Sequence, residues 1–204
     1  MSTSDTSARL RLFCAVELPA ELRARAYAHL ARLRASAADV KATWERAEKL
    51  HITLKFIGET EAGRPTALSE AAERATESVP PFELTLAGAG VFPAAHNPRV
   101  LWLGTEDSTG RLVLLHRRLE AECAAAGFPR EARAFHVHVT LARVRAANAA
   151  ARRLARFHEQ LGFAPAPFIV NELVIMRSDL GPGGSQYTPL ARHALQPAES
   201  SRPL

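Results

Sequence analysis

The stretch His51-Ile52-Thr53-Leu54-Lys55-Phe56-Ile57-Gly58 returns in altered form 87 residues later as His138-Val139-Thr140-Leu141-Ala142-Arg143-Val144. Successive side chains of a strand point to opposite faces. His51, Thr53 and Lys55 therefore share one face against Ile52, Leu54 and Phe56, and His136, His138 and Thr140 share one against Val137, Val139 and Leu141. Each strand buries an apolar row and shows a polar row to a groove or to solvent. With 8 histidines in 204 residues, chance expects far less than one His-x-Thr-Leu, so two copies in matching strand contexts point to two similar lobes of about 90 residues each. Set side by side about a pseudo-twofold axis, the two polar rows would form an anion site with two imidazoles and two hydroxyls, acid and base included.

Working outward, residues 9 to 17 (RLRLFCAVE) alternate as a strand, with Leu10, Leu12, Cys14 and Val16 on one side. Pro19 opens a helix to Ala35, whose apolar positions Leu22, Ala26, Leu30 and Leu33 recur at helical spacing. A strand Leu50 to Ile57 ends at Gly58, and a helix Thr66 to Thr76 stops before Pro80 and Pro81. Strands Phe82 to Ala87 and Arg99 to Gly104 flank the loop FPAAHNPR and should pair antiparallel. A helix Gly110 to Ala126, a strand Phe135 to Val144 and a helix Ala147 to Leu161 follow. Strands Phe168 to Arg177 and Tyr187 to Leu195 then flank the turn GPGGS, which lacks the Lys-Ser/Thr ending of a nucleotide-binding loop. Helices and mainly antiparallel strands without strict alternation give the class α+β: one bilobal domain over 9–196, two pseudo-symmetric lobes with outer helices around a central groove, and disordered tails at 1–8 and 197–204.

Composition narrows the partners. At 47% hydrophobic and 23% charged, the chain is neither collagen-like nor disordered, and its two cysteines, Cys14 and Cys123, read as reduced core thiols, not a disulfide framework. No signal-like start and no apolar run of roughly 18 residues occur, so a cytoplasmic protein with no membrane partner is expected. A net charge of +5 leans mildly toward a polyanion.

The motifs RLFCAVELP, LHITLKFIG, FHVHVTLARV and ELVIMRSDLGPGGSQYTPL together resemble the two-histidine (2H) phosphoesterase superfamily, and within it the RNA 2',3'-cyclic phosphodiesterase family, also called the 2'-5' RNA ligase family. The resemblance spans nearly the whole chain. It implies hydrolysis of RNA 2',3'-cyclic phosphate ends to 2'-phosphate without a metal or other cofactor, with 2'-5' ligation as the reverse of related chemistry. By the same resemblance His138 is the general base and His51 the general acid, Thr53 and Thr140 bind the non-bridging oxygens, and Arg143 grips the phosphate. Strict alternation puts Arg143 on the wrong face, so it needs a strand end, a twist or a bulge near Ala142. Phe56 stands at the equivalent place in the first motif.

Other residues carry weaker expectations. Lys55 points with His51, either toward a neighbouring phosphate or into solvent; Phe13 is a core residue or a base-stacking one, and Tyr187 is evenly balanced between the two. The pair His136 and His138 has no acidic or cysteine cluster near it in sequence, which argues against zinc. His29, His116 and His158 read as surface or boundary residues of helices. A monomer acting on RNA ends or nucleotides with a 2',3'-cyclic phosphate is the expectation; a non-catalytic nucleotide-binding module and a phosphodiesterase of small cyclic nucleotides are the alternatives.

Overall fold

A computed structural model describes residues 9–182 and 184–197. The chain runs β1 (Arg9–Glu17), α1 (Ala20–Ala35), β2 (Ala42–Trp44), a 3-10 turn (Ala47–Lys49), β3 (His51–Glu61), α2 (Pro65–Thr76), β4 (Phe82–Ala94), β5 (Asn97–Glu106), α3 (Arg111–Ala125), β6 (His138–Val144), α4 (Ala149–Leu161), β7 (Ala166–Val170), β8 (Glu172–Gly181) and β9 (Gly184–Ala194). The strands form one sheet in the order β7-β4-β5-β6-β3-β1-β8-β9, with β2 added to β6, and every pairing is antiparallel. The α+β class and the two-lobed arrangement follow directly: β3 and β6 are neighbours at the centre, each flanked outward by its own set of strands.

The alternation of β1 sorts its side chains between two clusters. Leu12, Cys14 and Val16 enter the main core with the helices, while Phe13 and Ala15 join Val174 and Met176 on the other face, beside Tyr187. Leu112, Leu115, Leu119 and Cys123 of α3 are fully buried, each leucine contributing about 2 kcal/mol of apolar burial. Both cysteines are free and buried. Asn148 caps α4 by accepting from the Ala151 N–H at 2.8 Å. The lobes interlace. α3, which follows β5, packs on α2 and β3, while α1, which follows β1, touches α4 through His29 and His158.

Several boundaries differ from the sequence expectation. The run Phe168 to Arg177 is two strands: β7 pairs with β4 and β8 with β1, on opposite sides of the sheet, and the chain crosses between them at Asn171. Two polar residues, Asn171 and Glu172, in an apolar run are too faint a signal to show that break. The expected loop FPAAHNPR is mostly strand, because β4 and β5 stay paired through Ala94 and Asn97. The strand expected from Phe135 begins only at His138, and β2 was not foreseen, being three residues long. His29 and His158 are buried, not surface residues. The expected tails lie outside the described residues, apart from Pro197. No helix among the described residues is long and apolar enough to cross a membrane.

Candidate active site

The two His-x-Thr-Leu strands meet at their centres. Ile52 of β3 pairs with Val139 of β6, both fully buried. Antiparallel pairing there runs His51 toward Thr140 and Thr53 toward His138, and all four side chains lie on the face opposite the two core residues. The burial pattern of seven residues is the same in each strand: partly exposed, buried, partly exposed, buried, buried, exposed, buried.

Two buried residues in succession mark a bulge in each strand. Across β1 and β3, Ala15 pairs with Thr53 and Cys14 with Lys55, leaving Leu54 unpaired; across β5 and β6, Trp102 pairs with Thr140 and Leu101 with Ala142, leaving Leu141 unpaired. An extra residue inverts the facing of everything after it. Ala142 therefore turns into the core and Arg143 to the open face, where its charge reaches His51, His138, Tyr187 and Glu45. The bulge that Arg143 needs is present.

The same inversion corrects Lys55. It does not point with His51: it is 2% exposed and faces the helices, where Nζ donates to Glu120 Oε1 at 2.7 Å and to the Pro129 carbonyl at 2.9 Å. Phe56 takes the open face instead, 55% exposed. For Phe13 the core alternative holds and the base-stacking one does not. At 3% exposure it offers little ring surface to a base, and its ring stacks on His51 with centroids 4.9 Å apart. Tyr187 stands edge-on to both Phe13 and His51, at 4.9 and 5.4 Å, with Lys49 over its ring.

Both imidazoles are oriented alike. His51 Nδ1–H donates to the Lys49 carbonyl at 2.6 Å and His138 Nδ1–H to the His136 carbonyl at 2.7 Å, each two residues back along the chain. A carbonyl only accepts, so the neutral rings carry their proton on Nδ1 and present Nε2 as a lone pair. His51 Nε2 accepts from the Thr53 hydroxyl at 3.0 Å. Burial pushes the His51 pKa down to about 4; the Lys49 carbonyl and Glu17 oppose that shift, while His138 and Arg143 add to it. His138 is lowered too, first by burial and then by Arg143 and His136 against the favourable His136 carbonyl. Both groups lie below the ordinary imidazole value of 6.5, so without an anion both are neutral at pH 7.

Sequence reading passed over the residues around His138. Phe92 stands edge-on to it at 5.2 Å, and Trp102 lies 6.4 Å away, 5.0 Å from Phe92. A Cβ at Gly90 would sit 2.4 Å from the Trp102 ring, so glycine is what lets the indole lie flat on the sheet. The duplication was the signal available: Trp102 stands beside Thr140 as Ala15 stands beside Thr53. Glu45, its carboxyl pKa raised by burial, sits near Arg143 and Lys49 on the segment after β2. Among the described residues no group of three or more His, Cys, Asp or Glu gathers in a form that could hold a metal ion.

A profile of the 2'-5' RNA ligase superfamily matches residues 18–182. The chain is 34% identical over 190 residues to the RNA 2',3'-cyclic phosphodiesterase of Escherichia coli K12, covering 91% of this chain and 96% of that one. It is 32% identical over 178 residues to the enzyme of the same name from Thermotoga maritima, covering 87% and 91%. Among solved structures, TT0787 of Thermus thermophilus superposes with a TM-score of 0.74 at 27% identity, covering 93% of this chain and all of that one. Escherichia coli LigT in complex with 3'-AMP superposes at 0.71 with 33% identity, covering 92% and 99%.

Proposed function

The chain belongs to the 2'-5' RNA ligase superfamily, and from that premise we propose that it hydrolyses RNA 2',3'-cyclic phosphate ends to 2'-phosphates by two-histidine acid/base catalysis without a metal. Opening the ring needs a base for the attacking water and an acid for the departing oxygen, on opposite sides of phosphorus. In this reading His138 Nε2 takes a proton from water as its oxygen attacks. The bond from phosphorus to O3' breaks, and His51 Nε2–H protonates O3', leaving the 2'-phosphate. Thr53 and Thr140 donate to the non-bridging oxygens, and the Arg143 fork holds the anion. Tyr187 borders the substrate beside His51.

The observation that carries this reading is the matched pair of Nδ1–carbonyl bonds, which aim two Nε2 atoms at one face across the Ile52–Val139 contact. His51 must acquire a proton to act as an acid. A bound phosphate supplies the reason, since an anion offsets the cost of a charged imidazole that burial and Arg143 impose. Ligation of RNA ends through a 2'-5' bond is the same in-line attack with a ribose hydroxyl in place of water: its oxygen bonds to phosphorus, His138 takes its proton, and the bond to O3' breaks.

A second reading keeps the chemistry and makes the substrate a small nucleotide, because one relative, Escherichia coli LigT, has been crystallised with 3'-AMP and with ATP. Purified protein in EDTA should convert an oligonucleotide ending in a 2',3'-cyclic phosphate to the 2'-phosphate, identified by phosphatase sensitivity and by comparison with 2'- and 3'-phosphate standards. Failure in EDTA with recovery on adding a divalent metal would refute the metal-free mechanism. Faster turnover of a cyclic mononucleotide would favour the second reading, and binding without turnover would leave a nucleotide-holding module.

A further inference from the structure

The two histidines are oriented by different scaffolding. The carbonyl that holds His51 belongs to Lys49, in a 3-10 turn closed by Lys49 N–H to the Arg46 carbonyl and Leu50 N–H to the Ala47 carbonyl. The carbonyl that holds His138 belongs to His136, in a stretch from Pro129 to Val137 without regular structure. Helix α3 and strand β3 grip that stretch. His116 of α3 lies flat on Phe135, centroids 3.8 Å apart and planes 7° apart, and its Nδ1–H donates to the Leu54 carbonyl at 3.1 Å. Glu120, one turn on, accepts from Lys55 and, through Oε2, from the Glu131 N–H at 3.3 Å, while Lys55 also binds the Pro129 carbonyl.

Leu54 and Lys55 are the bulge residues of the first motif. The bulge thus does a second thing besides turning Phe56 outward: it sends one carbonyl and one ammonium into α3, and both tie down the lead-in to the second motif. We propose that His116, Lys55 and Glu120 are positioning residues for His138, coupling the bulge of β3 to the orientation of the imidazole in the other lobe. This rests on His138 being the working base. A buried lysine-carboxylate pair carries a large desolvation cost and is often replaceable by apolar side chains without loss of stability. Its presence here is explained by what its remaining valences hold, the Pro129 carbonyl and the Glu131 N–H.

The test separates position from stability. In the double variant Lys55→Met with Glu120→Leu the core stays filled, so Tm should stay at or above the wild-type value while kcat falls about tenfold with KM within about twofold. The pH limb belonging to His138 should move, and long-range 1H–15N NMR of its ring should show a mixture of tautomers where the wild type shows Nδ1–H. His116→Phe keeps the flat contact on Phe135 but not the bond to Leu54, and should show the same changes at about threefold in kcat. Wild-type kcat and tautomer in a folded variant of either kind would overturn the proposal, as would lost activity with an unchanged tautomer and pH limb. Should the wild type turn over and His138→Ala stay active, the assignment of the base fails instead, which the NMR readout distinguishes because it needs no substrate.

Discussion

Ile52 and Val139 pair across the two central strands with no exposed surface, and this one apolar contact fixes the relative placement of both histidines and both threonines. The side chains on either side of each residue must emerge on the opposite face. A core contact and a polar cleft are thus two sides of the same pairing.

His51→Ala and His138→Ala should each lower kcat by roughly 100-fold or more, with circular dichroism and Tm close to the wild type, because both rings stand at the open face and not in the main core. A variant of either kind within a few-fold of wild-type turnover sinks the paired acid/base scheme.

The pH profile follows from the direction of the shifts. Burial lowers both histidines from 6.5, His51 to about 4, so the bell of kcat/KM, which reports the free enzyme, should peak on the acid side of about 6.5. The bell of kcat should lie at higher pH, since the bound anion raises both groups. A kcat/KM maximum above neutrality contradicts this, and titrating the ring protons by NMR with and without phosphate checks it directly.

Acid stability should be limited by a second histidine pair, His29 of α1 and His158 of α4. His158 Nε2–H donates to the Trp102 carbonyl at 3.0 Å, so its Nδ1 accepts from His29 Nε2–H at 3.1 Å, and this pair joins α1 to α4. Burial, then His158 and Arg32, lower His29 to about 4. A base whose folded pKa is depressed contributes stability above its unfolded pKa and loses it as pH falls. Here the loss runs from 6.5 down through about 4, on the order of 2–3 kcal/mol. Urea midpoints between pH 7 and 4 should drop accordingly, and His29→Gln should flatten the slope; an unchanged slope removes His29 from the account.

Gly90→Ala should destabilise the protein by about 1–3 kcal/mol and lower activity, because the added methyl occupies the space of the Trp102 ring beside His138. Tryptophan fluorescence and Tm report the displacement together; an alanine variant as stable and as active as the wild type would show that the indole has room to move.

The duplicated motif was legible in sequence because it rests on local alternation, and so were the four α-helices of the described residues, whose apolar residues recur at helical spacing. The strand partition was less so. The break at Asn171 depends on which edge each half pairs with, a contact with residues some eighty and a hundred and sixty positions earlier in the chain. Lys55 shows the limit most plainly. Period-two alternation places it beside His51, yet a single unpaired leucine turns it into the helices, and nothing within the motif announces the bulge.

What the sequence alone determined was the class of fold and the two His-x-Thr-Leu strands, because short-range periodicity and repetition need no partner to be read, and the family, through the resemblance of its motifs. The tertiary structure decided which way the side chains after each motif face, how far burial lowers the histidines, and what holds the His136 carbonyl. Those depend on bulges and on desolvation, which exist only once distant strands and α3 have packed together.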